Sequence, residues 1–588
     1  MVIGTMIAMQ DSKKVSESSE LRQKDDTVVQ MSVTATPSSK ILLHTKEAGD
    51  PYDAGDVYDA VPLAIFGEWE INSVNYPYLK FIKSISAAWP HLRYLADFME
   101  VSTIPLKWEV IRNNEAERRE RAQRTNVSIL DFPRAGGAVK QTRVTSFDKL
   151  ELSIEEMPSA QPPNRLILVE DLSRRVIETL GAKFDIDPNF FRGHIDDYSW
   201  YNIRDRWMDP PNLTSSMQRQ KWIRLRFVRP RYFRTSDMLQ KAREESAWFN
   251  IYRRPEDDLN RWAEIDGEGV VGLTRTKVSI WMGNSGDQVR PGTGIMLIDP
   301  TVKEGFPMWY GYCNWAPIPS IHDQPQVPPS GPPRTSLFED LNYWIKNRPE
   351  SQLPSNDSRL DPVMAALEPT LSLICGEWLI MCEYIKTRLG QIEWQLGYPE
   401  RFRVDSDLIH TALSRVHTWR RLFPLYKEMV SETLSSTVAI ASASGYDAVG
   451  SSSSHCLDNF RTDLGDILKR LAELERRNEK IMGAVATVIS IEDTHIGLRE
   501  NRNMGRLTWL ATVFLPLTYI TGLFSMQTDV TALRTTFYWY FGIAVPVTAI
   551  ALLVAVYYSY SERTKRITPL REWLVSTRGS KGRDRTGC

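Results

Sequence analysis

Residues 507–527 read LTWLATVFLPLTYITGLFSMQ, a stretch that contains no Asp, Glu, Lys or Arg. A second charge-free apolar segment, residues 537–558, follows after a short loop. A helix that crosses a hydrocarbon core of about 30 Å needs roughly 20 mainly apolar residues, and both segments have about that length. The sequence therefore predicts two membrane spans, 507–524 and 537–558, which anchor the large water-soluble body that precedes them.

The composition argues against a nucleic-acid partner and against an enzyme. The 588 residues include 72 Lys and Arg against 73 Asp and Glu, so the basic excess that nucleic-acid binding requires is missing. The five cysteines are scattered without a CxxC pair, which fits a reducing compartment and no disulfide framework. The sequence offers no recognisable nucleophile and base set, so we expect no enzymatic activity and no cofactor.

The charges beside the two apolar segments predict their orientation. Cytosolic flanks of membrane spans carry an excess of Lys and Arg. The basic flanking residues are Arg499, Arg502 and Arg506 before the first segment and Arg563, Lys565 and Arg566 after the second. The loop between the segments holds only Asp529 and Arg534, and the N-terminus shows neither a signal peptide nor an acid-poor transit sequence. We therefore expect a multi-pass protein of the plasma membrane with two spans and both termini in the cytosol.

Composition and periodicity divide the chain further. The predicted parts are a disordered tail 1–60, a cytosolic α/β domain 61–361 with a Pro-rich connector 316–336, stalk helices 362–436, a flexible linker 437–456, a long helix 457–524 that continues into the span 507–524, an extracytosolic loop 525–536, the span 537–558 and a basic cytosolic tail 559–588. The fold class is thus an α/β cytosolic domain with a long α-helical stalk and two C-terminal transmembrane helices.

The α/β interpretation depends on short β-like runs that alternate with helical patterns. Strands are predicted at 165–169, 222–228, 277–281 and 294–299, and helices at 171–180 and 235–249. In the stalk, six apolar residues recur with helical period: Leu371, Ile374, Trp378, Met381, Ile385 and Leu389. A mixed sheet followed by long amphipathic helices is the expected order.

A stripe of small, uncharged side chains follows the predicted long helix. Alternating spacings of three and four residues place it on one helix face. Its members are Gly483, Thr487, Ser490, Thr494, Gly497, Asn501, Met504, Thr508, Ala511, Leu515, Thr518, Gly522 and Ser525. Apolar residues for packing occupy the neighbouring face: Ile481, Val485, Val488, Ile491 and Leu498. The pattern alone is compatible with close helix packing and with the lining of a narrow aqueous pore.

The first span resembles the first transmembrane helix of the CorA family of divalent-cation channels. The resemblance is carried by Asn501, Met504, 507–508, 511–512, Phe514, 516–518, Ile520, Gly522 and the Ser525-Met526-Gln527 end, which replaces the family's Gly-Met-Asn signature. The stretch between Val169 and His194 also looks like the cytosolic domain of fungal CorA-like proteins. The resemblance favours the pore over the packing interpretation and implies a homopentamer.

The resemblance also implies the residues of the ion pathway. The pore and selectivity residues would be Ser525, Met526, Gln527, Gly522, Thr518, Leu515, Ala511, Thr508, Leu507, Met504 and Asn501, with Gln527 and Asn501 as ligands of a hydrated ion. Met504, Leu507 and Leu515 would form apolar constrictions. The expected partners are further copies of this chain, the lipid bilayer and a divalent cation: Mg²⁺, or Zn²⁺, Co²⁺ or Ni²⁺. The alternative is a non-conducting membrane-anchored scaffold or sensor that keeps the CorA-like fold.

Three other patterns have structural interpretations. Gly267–Gly272 matches GxGxxG but precedes a predicted strand rather than a helix, so we interpret it as a turn. His194 stands near Asp196 and Asp197 without a further ligand cluster, which favours a structural histidine over a metal ligand. Cys375 and Cys382 lie two turns apart on one predicted helix and are expected in its core.

Overall fold

The computed structural model describes the greater part of the chain between residues 71 and 557. The described residues are 71, 73–103, 111, 114–133, 138–155, 164–196, 213–217, 219–258, 267–283, 292–309, 311–312, 314–315, 322, 331–347, 362–397, 406–443, 452–525, 537–550, 552–554 and 557. The predicted tail 1–60 and basic tail 559–588 lie outside them. The chain divides into two compact units, one within Met1–Tyr398 and Ser406–Gly483, the other within Pro399–Asp405 and Ala484–Cys588.

Helices occupy both units. They are α1 Pro77–Ile85, α2 Arg93–Val101, α3 Glu115–Gln123, α4 Phe147–Glu155, α5 Arg174–Phe184, α6 Pro188–Ile195, α7 Thr214–Met217, α8 Ser236–Trp248, α9 Leu337–Lys346, α10 Pro362–Leu396, α11 Ser406–Ala443, α12 Ser452–Phe524 and α13 Phe537–Val554. Several of them are capped at the N-terminus by a side chain that accepts a hydrogen bond from a backbone N–H. Thr235 accepts from Met238 in this way, and Ser336 accepts from Glu339.

One mixed sheet forms the centre of the first unit. Its strands are β1 Val127–Phe132, β2 Lys140–Val144, β3 Asn164–Glu170, β4 Trp222–Phe233, β5 Glu256–Asp257, β6 Val270–Met282, β7 Thr293–Ile298 and β8 Phe306–Pro307. They are ordered β2-β1-β3-β7-β6-β4-β8, with β5 paired to β6. Among the strand pairs that the structure describes, β3–β7 is the parallel one. All four predicted strands, and a mixed sheet, are present.

The central strand β7 is buried along its whole length because both faces of the sheet are covered. Side chains alternate between the faces of a strand. Ile295 and Leu297 join the core cluster that α1, α2, α5 and α6 build on one face. Gly294 points to the other face, where Val363 of α10 packs so closely that a Cβ would lie 2.7 Å from its Cγ2.

Helix α5 starts later than predicted because the chain turns at Asp171. This residue has a left-handed φ of 55°, and its carboxylate accepts the backbone N–H groups of Asn250 at 3.1 Å and Ile251 at 2.9 Å. Arg124 also donates to it at 3.1 Å. The helix therefore begins at Arg174 rather than 171.

The stalk helices α10 and α11 pack on the sheet and on the first part of α12. All six apolar residues predicted for the core of α10 are fully buried, and Cys375 and Cys382 are buried beside them, as expected. Polar contacts fix the register of α12: Lys427 pairs with Glu475 at 2.6 Å, Arg420 with Glu479 at 3.1 Å, and the buried Asn478 donates to the Val416 carbonyl at 3.2 Å.

The helices around the predicted linker 437–456 are longer than expected. Helix α11 continues to Ala443, and α12 begins at Ser452, so only residues 444–451 separate them. The extension of α11 uses Ala, Ser, Thr, Val and Ile, and no Pro or Gly interrupts it. The predicted continuity of the long helix from 457 to 524 is present within α12.

Glu170, at the carboxyl end of β3, makes a pH-dependent contribution to the stability of the fold. Burial, reinforced by Asp171, raises the pKa of Glu170 to about 7. Because the folded pKa is raised, this side chain contributes stability below its ordinary pKa and loses that contribution as the pH rises through 7. As the pH rises from 5 to 8, we expect the free energy of unfolding of Glu170→Gln to increase by about 1–2 kcal/mol relative to that of wild type. Thermal unfolding of the full-length protein at both pH values would test this.

The control for this prediction is Glu151→Gln, which changes an exposed glutamate of α4. Its stability relative to wild type should be the same at pH 5 and pH 8. Equal pH dependence in the Glu170 and Glu151 variants would show that Glu170 is not responsible.

Candidate functional site

The stripe lies on α12, and every member of it is exposed in a single copy of the chain. Its two large apolar side chains, Met504 and Leu515, are 66% and 69% exposed, and the neighbouring Leu507, also predicted as a constriction, is 67% exposed. Asn501, Thr508, Ala511, Thr518, Gly522 and Ser525 are exposed as well. Exposed apolar residues in a charge-free segment need lipid or protein to cover them.

The opposite side of α12 is where the second unit is most closely packed. Ile520 is only 6% exposed and Leu517 is half-buried. A helix turns by about 100° per residue, so Ile520 lies roughly opposite Thr518 and Gly522. A hydrogen bond of 2.9 Å between Thr521 and Tyr540 brings α13 to the flank of this packed side. The stripe is therefore not the face that packs within one copy.

The stripe threonines present oxygen lone pairs outward. Thr508 donates its hydroxyl proton to the Met504 carbonyl at 2.8 Å, and Thr518 donates to the Leu515 carbonyl at 2.9 Å. A hydroxyl has one proton and two acceptor sites, so its oxygen remains available as an acceptor. Such oxygens can receive hydrogen bonds from the water shell of a cation.

The predicted signature is only partly within the described residues. Ser525 directly follows α12 as an exposed turn residue whose N–H donates to the Thr521 carbonyl at 2.9 Å. Met526 and Gln527 lie outside the described residues. In the part of the chain that the structure describes, no group of three or more His, Cys, Asp and Glu could hold a metal ion.

The predicted packing face of α12 is buried at its start and exposed further along. Ile481 and Val485 are buried, whereas Ile491 and Leu498 are 51% and 52% exposed in a single copy. Apolar residues at this spacing suit contact with a neighbouring helix.

Among the described residues, three helices are long and apolar enough to cross a membrane. They are Val363–Leu396 in α10, Leu457–Gly522 in α12 and Phe537–Val554 in α13. Their most apolar stretches differ in environment, because 72% of the stretch in α10 is buried inside the protein against 12% in α12 and 6% in α13. Helix α10 thus already packs its apolar surface in the soluble body.

His194 belongs to a buried charge network that caps α6. Its Nδ1 lies 3.0 Å from the Ser279 hydroxyl. Arg253 donates to Asp299 at 2.6 Å and to the His194 carbonyl at 2.6 Å, while Lys277 donates to Asp196 at 2.7 Å and to the Gly193 carbonyl at 2.9 Å. These two cations satisfy carbonyls at the C-terminus of α6. Asp197 lies outside the described residues.

The protonation of this network fits a structural role. Burial, together with Arg253 and Lys277, holds the pKa of His194 well below its usual value, so the imidazole is neutral. Burial also lowers the pKa of Lys277 to about 8. The side chains are thus engaged with one another and with α6 rather than facing a ligand.

The glycine pattern 267–272 forms a turn and a strand. Gly267 has a left-handed φ of 59°, and β6 begins at Val270, so the helix that a nucleotide site requires does not follow. The nearby cleft, about 650 Å³ including open solvent, brings together charged side chains such as Glu256 and Arg275, which pair at 3.2 Å.

Sequence reasoning does not anticipate the contacts between helices. The Thr521–Tyr540 hydrogen bond and the Asn478–Val416 hydrogen bond join residues whose proximity depends on tertiary packing. A polar residue inside an apolar helix face, as at Asn478, is the only local signal for either.

The apolar stretches of α12 and α13 are long enough to cross a membrane and are largely exposed within one copy, as in helices that insert into a bilayer. Residues 370–559 match the family model described as "CorA-like Mg2+ transporter protein". The matched region, which runs from within α10 past the end of α13, is thus similar to that family.

Solved structures that are similar at low identity include two that cover most of this chain. The CorA magnesium transporter from Methanocaldococcus jannaschii is 11% identical, with 73% of this chain and 96% of that chain covered and a TM-score of 0.35. The full-length CmaX protein is 12% identical, with 72% and 98% covered and a TM-score of 0.32. No curated protein sequence matches the chain significantly.

Proposed function

We propose that the protein is a channel for divalent metal cations, with Mg²⁺ as its principal ion, and that the α12 stripe lines the pore. The proposal depends chiefly on one observation: the region that matches the CorA-like family, 370–559, contains an uncharged stripe that lies opposite the packed side of α12. Weakly polar oxygens along a narrow axis suit an ion that keeps its hydration shell.

The proposal includes two spans, α12 from residue 507 and α13. Helix α10 is excluded because most of its apolar surface is covered by the soluble body, whereas α12 and α13 expose theirs. The apolar constrictions Met504, Leu507 and Leu515 would close the pore by dewetting. Gln527 would form an amide ring at the outer mouth, and Asn501 a ring nearer the cytosol.

Ion entry into proteoliposomes tests this function. Full-length protein would be reconstituted with an enclosed indicator dye, and the entry of Mg²⁺, Zn²⁺, Ni²⁺ and Co²⁺ compared with protein-free vesicles. We expect saturable Mg²⁺ entry, with Zn²⁺, Ni²⁺ and Co²⁺ also carried. An assembled protein that passes none of these ions would instead be a non-conducting scaffold or sensor.

The assembled form is expected to be a homopentamer. Two spans per copy cannot enclose a pore, so several copies must surround one axis, and the exposed Ile491 and Leu498 offer apolar surface for neighbouring copies. Native mass spectrometry in detergent should give about five chains per particle. A stable monomer would contradict the channel.

We expect the protein in the plasma membrane with both termini in the cytosol. Basic residues precede the first span and follow the second, and such residues mark the cytosolic side. The sequons at Asn126, Asn212 and Asn356 should then remain unglycosylated. Asn126 is half-buried and its side-chain nitrogen donates to Glu170. A glycosidase-sensitive mass shift mapped to one of these residues would reverse the orientation.

A further inference from the structure

A cleft lies between the central sheet and the stalk helix α11, within the first unit. It has a volume of about 650 Å³ including open solvent. One side is formed by the sheet and the residues next to it, and the other by α11 between Thr418 and Tyr426. The buried side chains of Val228, Leu273 and Leu425 form an apolar floor. A ligand bound in this cleft would therefore contact both the sheet and the stalk.

The sides of the cleft carry more positive than negative groups. Three carboxylates, those of residues 256–258, are present together with four arginines: Arg243, Arg254, Arg275 and Arg421. Arg275 pairs with Glu256 at 3.2 Å. Asp258 accepts a hydrogen bond from the buried Tyr384 hydroxyl. The acidic residues also do not form a metal site, since no group of three possible metal ligands occurs among the described residues. The charges therefore favour an anion over a cation.

A buried hydroxyl in the cleft is available to such an anion. Tyr426 lines the cleft and is only 2% exposed, yet its hydroxyl makes no hydrogen bond within the described part of the chain. Burial raises the pKa of Tyr426, so the hydroxyl keeps its proton and can act as a donor. Buried donors in proteins are normally satisfied by an acceptor. A ligand rich in acceptor oxygens would supply one.

The combination of guanidinium and hydroxyl donors indicates which kind of anion fits. A guanidinium presents several N–H donors in a planar fork that matches the oxygens of a phosphate group. Arg421 is exposed where α11 borders the cleft, and its charge acts on the Tyr426 hydroxyl. The two side chains thus lie close enough to contact one small oxyanion.

We propose that the cleft between the sheet and α11 binds the phosphate group of a small anion, with Arg421 and Tyr426 as ligands from the stalk. The bound phosphate would connect α11 to the arginines on the sheet side of the cleft. This connection adds to the ion pair of 3.1 Å that Arg226 of β4 already makes with Glu432 of α11.

The test measures binding by isothermal titration calorimetry to the full-length protein in detergent. The probes are inorganic phosphate, pyrophosphate and ATP, each in Mg²⁺-free buffer at constant ionic strength. We expect saturable binding of at least one probe. Tyr426→Phe removes only the hydroxyl, and Arg421→Met removes an exposed cation; each should raise Kd by about tenfold, because hydrogen bonds to charged groups are strong.

Two variants serve as matched controls. Arg420→Met makes the same change of charge at the neighbouring residue of α11, which does not line the cleft and pairs with Glu479 instead. Tyr343→Phe removes a hydroxyl from a half-buried tyrosine of α9, also outside the cleft. Both should keep the wild-type Kd. Thermal unfolding of each variant checks that it is folded, and if Tyr426→Phe is not, the comparison of Arg421→Met with Arg420→Met decides.

The outcomes separate the proposal from its alternatives. Weaker binding in Tyr426→Phe and Arg421→Met alone supports it, and the probe that binds most tightly shows whether the source is free phosphate or a larger phosphate compound. Absence of saturable binding to wild type, or equal Kd values in all the proteins, overturns it. Since binding is measured without ion flux, either result leaves the proposed channel function to its own test.

Discussion

Replacing Gln527 by leucine is expected to lower the entry of every divalent cation by about tenfold or more. The change removes a ring of amide oxygens from the proposed outer mouth. A hydrated ion whose water shell finds no hydrogen-bond acceptors there enters less readily. Apart from Asp529, the loop 525–536 has no carboxylate ligand, so no other charged oxygen is near in sequence. The measurement is the initial rate of ion entry into proteoliposomes.

The double change Ser525→Gly with Gln527→Asn should act in the other direction and sharpen the preference for Mg²⁺. Asparagine has one rotatable bond fewer than glutamine, and glycine restores backbone freedom at the turn. Wild type should therefore discriminate less than the double variant. Equal ion flux and selectivity in wild type, Gln527→Leu and the double variant would show that these residues do not form the filter. Passage of divalent ions by the double variant alone would favour the non-conducting scaffold as the natural function.

Replacing Arg253 by methionine is expected to destabilise the soluble body by about 3–5 kcal/mol. The change leaves the Asp299 carboxylate and carbonyls of α6 buried without their charged donor. A loss of this size lowers the unfolding midpoint by roughly 10 °C for a domain of this kind. Thermal unfolding of the full-length protein would measure it.

Arg119→Met provides the matched comparison for Arg253. Arg119 pairs with Glu115 at 2.6 Å, but both side chains are largely exposed, and exposed ion pairs contribute about 0–1 kcal/mol. A midpoint in Arg253→Met no lower than in Arg119→Met would mean that the buried network does not hold α6 in place.

The predictable part of the fold is the part with strong local periodicity. β3 and β7 are rich in aliphatic residues, β6 is rich in β-branched residues, β4 alternates apolar residues with arginine, and the stalk helix α10 has a clear apolar spacing. β2 has no counterpart in the sequence prediction because KQTRV is polar, and in this edge strand only Val144 is buried. The start of α5 was misplaced since the left-handed turn at Asp171 depends on contacts with Asn250 and Ile251.

The candidate site also has a part that the sequence predicts and a part that it does not. The stripe on α12 follows from spacing alone, because every third or fourth residue must share a helix face. Which side of α12 is buried within the copy is set by tertiary packing, and so is the distance between Thr521 and Tyr540. Gln527 and its role remain a prediction, since the residue lies outside those described.

The back-bonded threonines also bear on the sign of charge that could pass. Thr508 and Thr518 have already given their protons to helix carbonyls, so a chloride ion at these positions would meet only lone pairs. A hydrated cation orients its water hydrogens outward and finds acceptors for them. Along this part of α12, exclusion of anions would therefore come from the orientation of hydroxyl dipoles, without a fixed carboxylate in the spans.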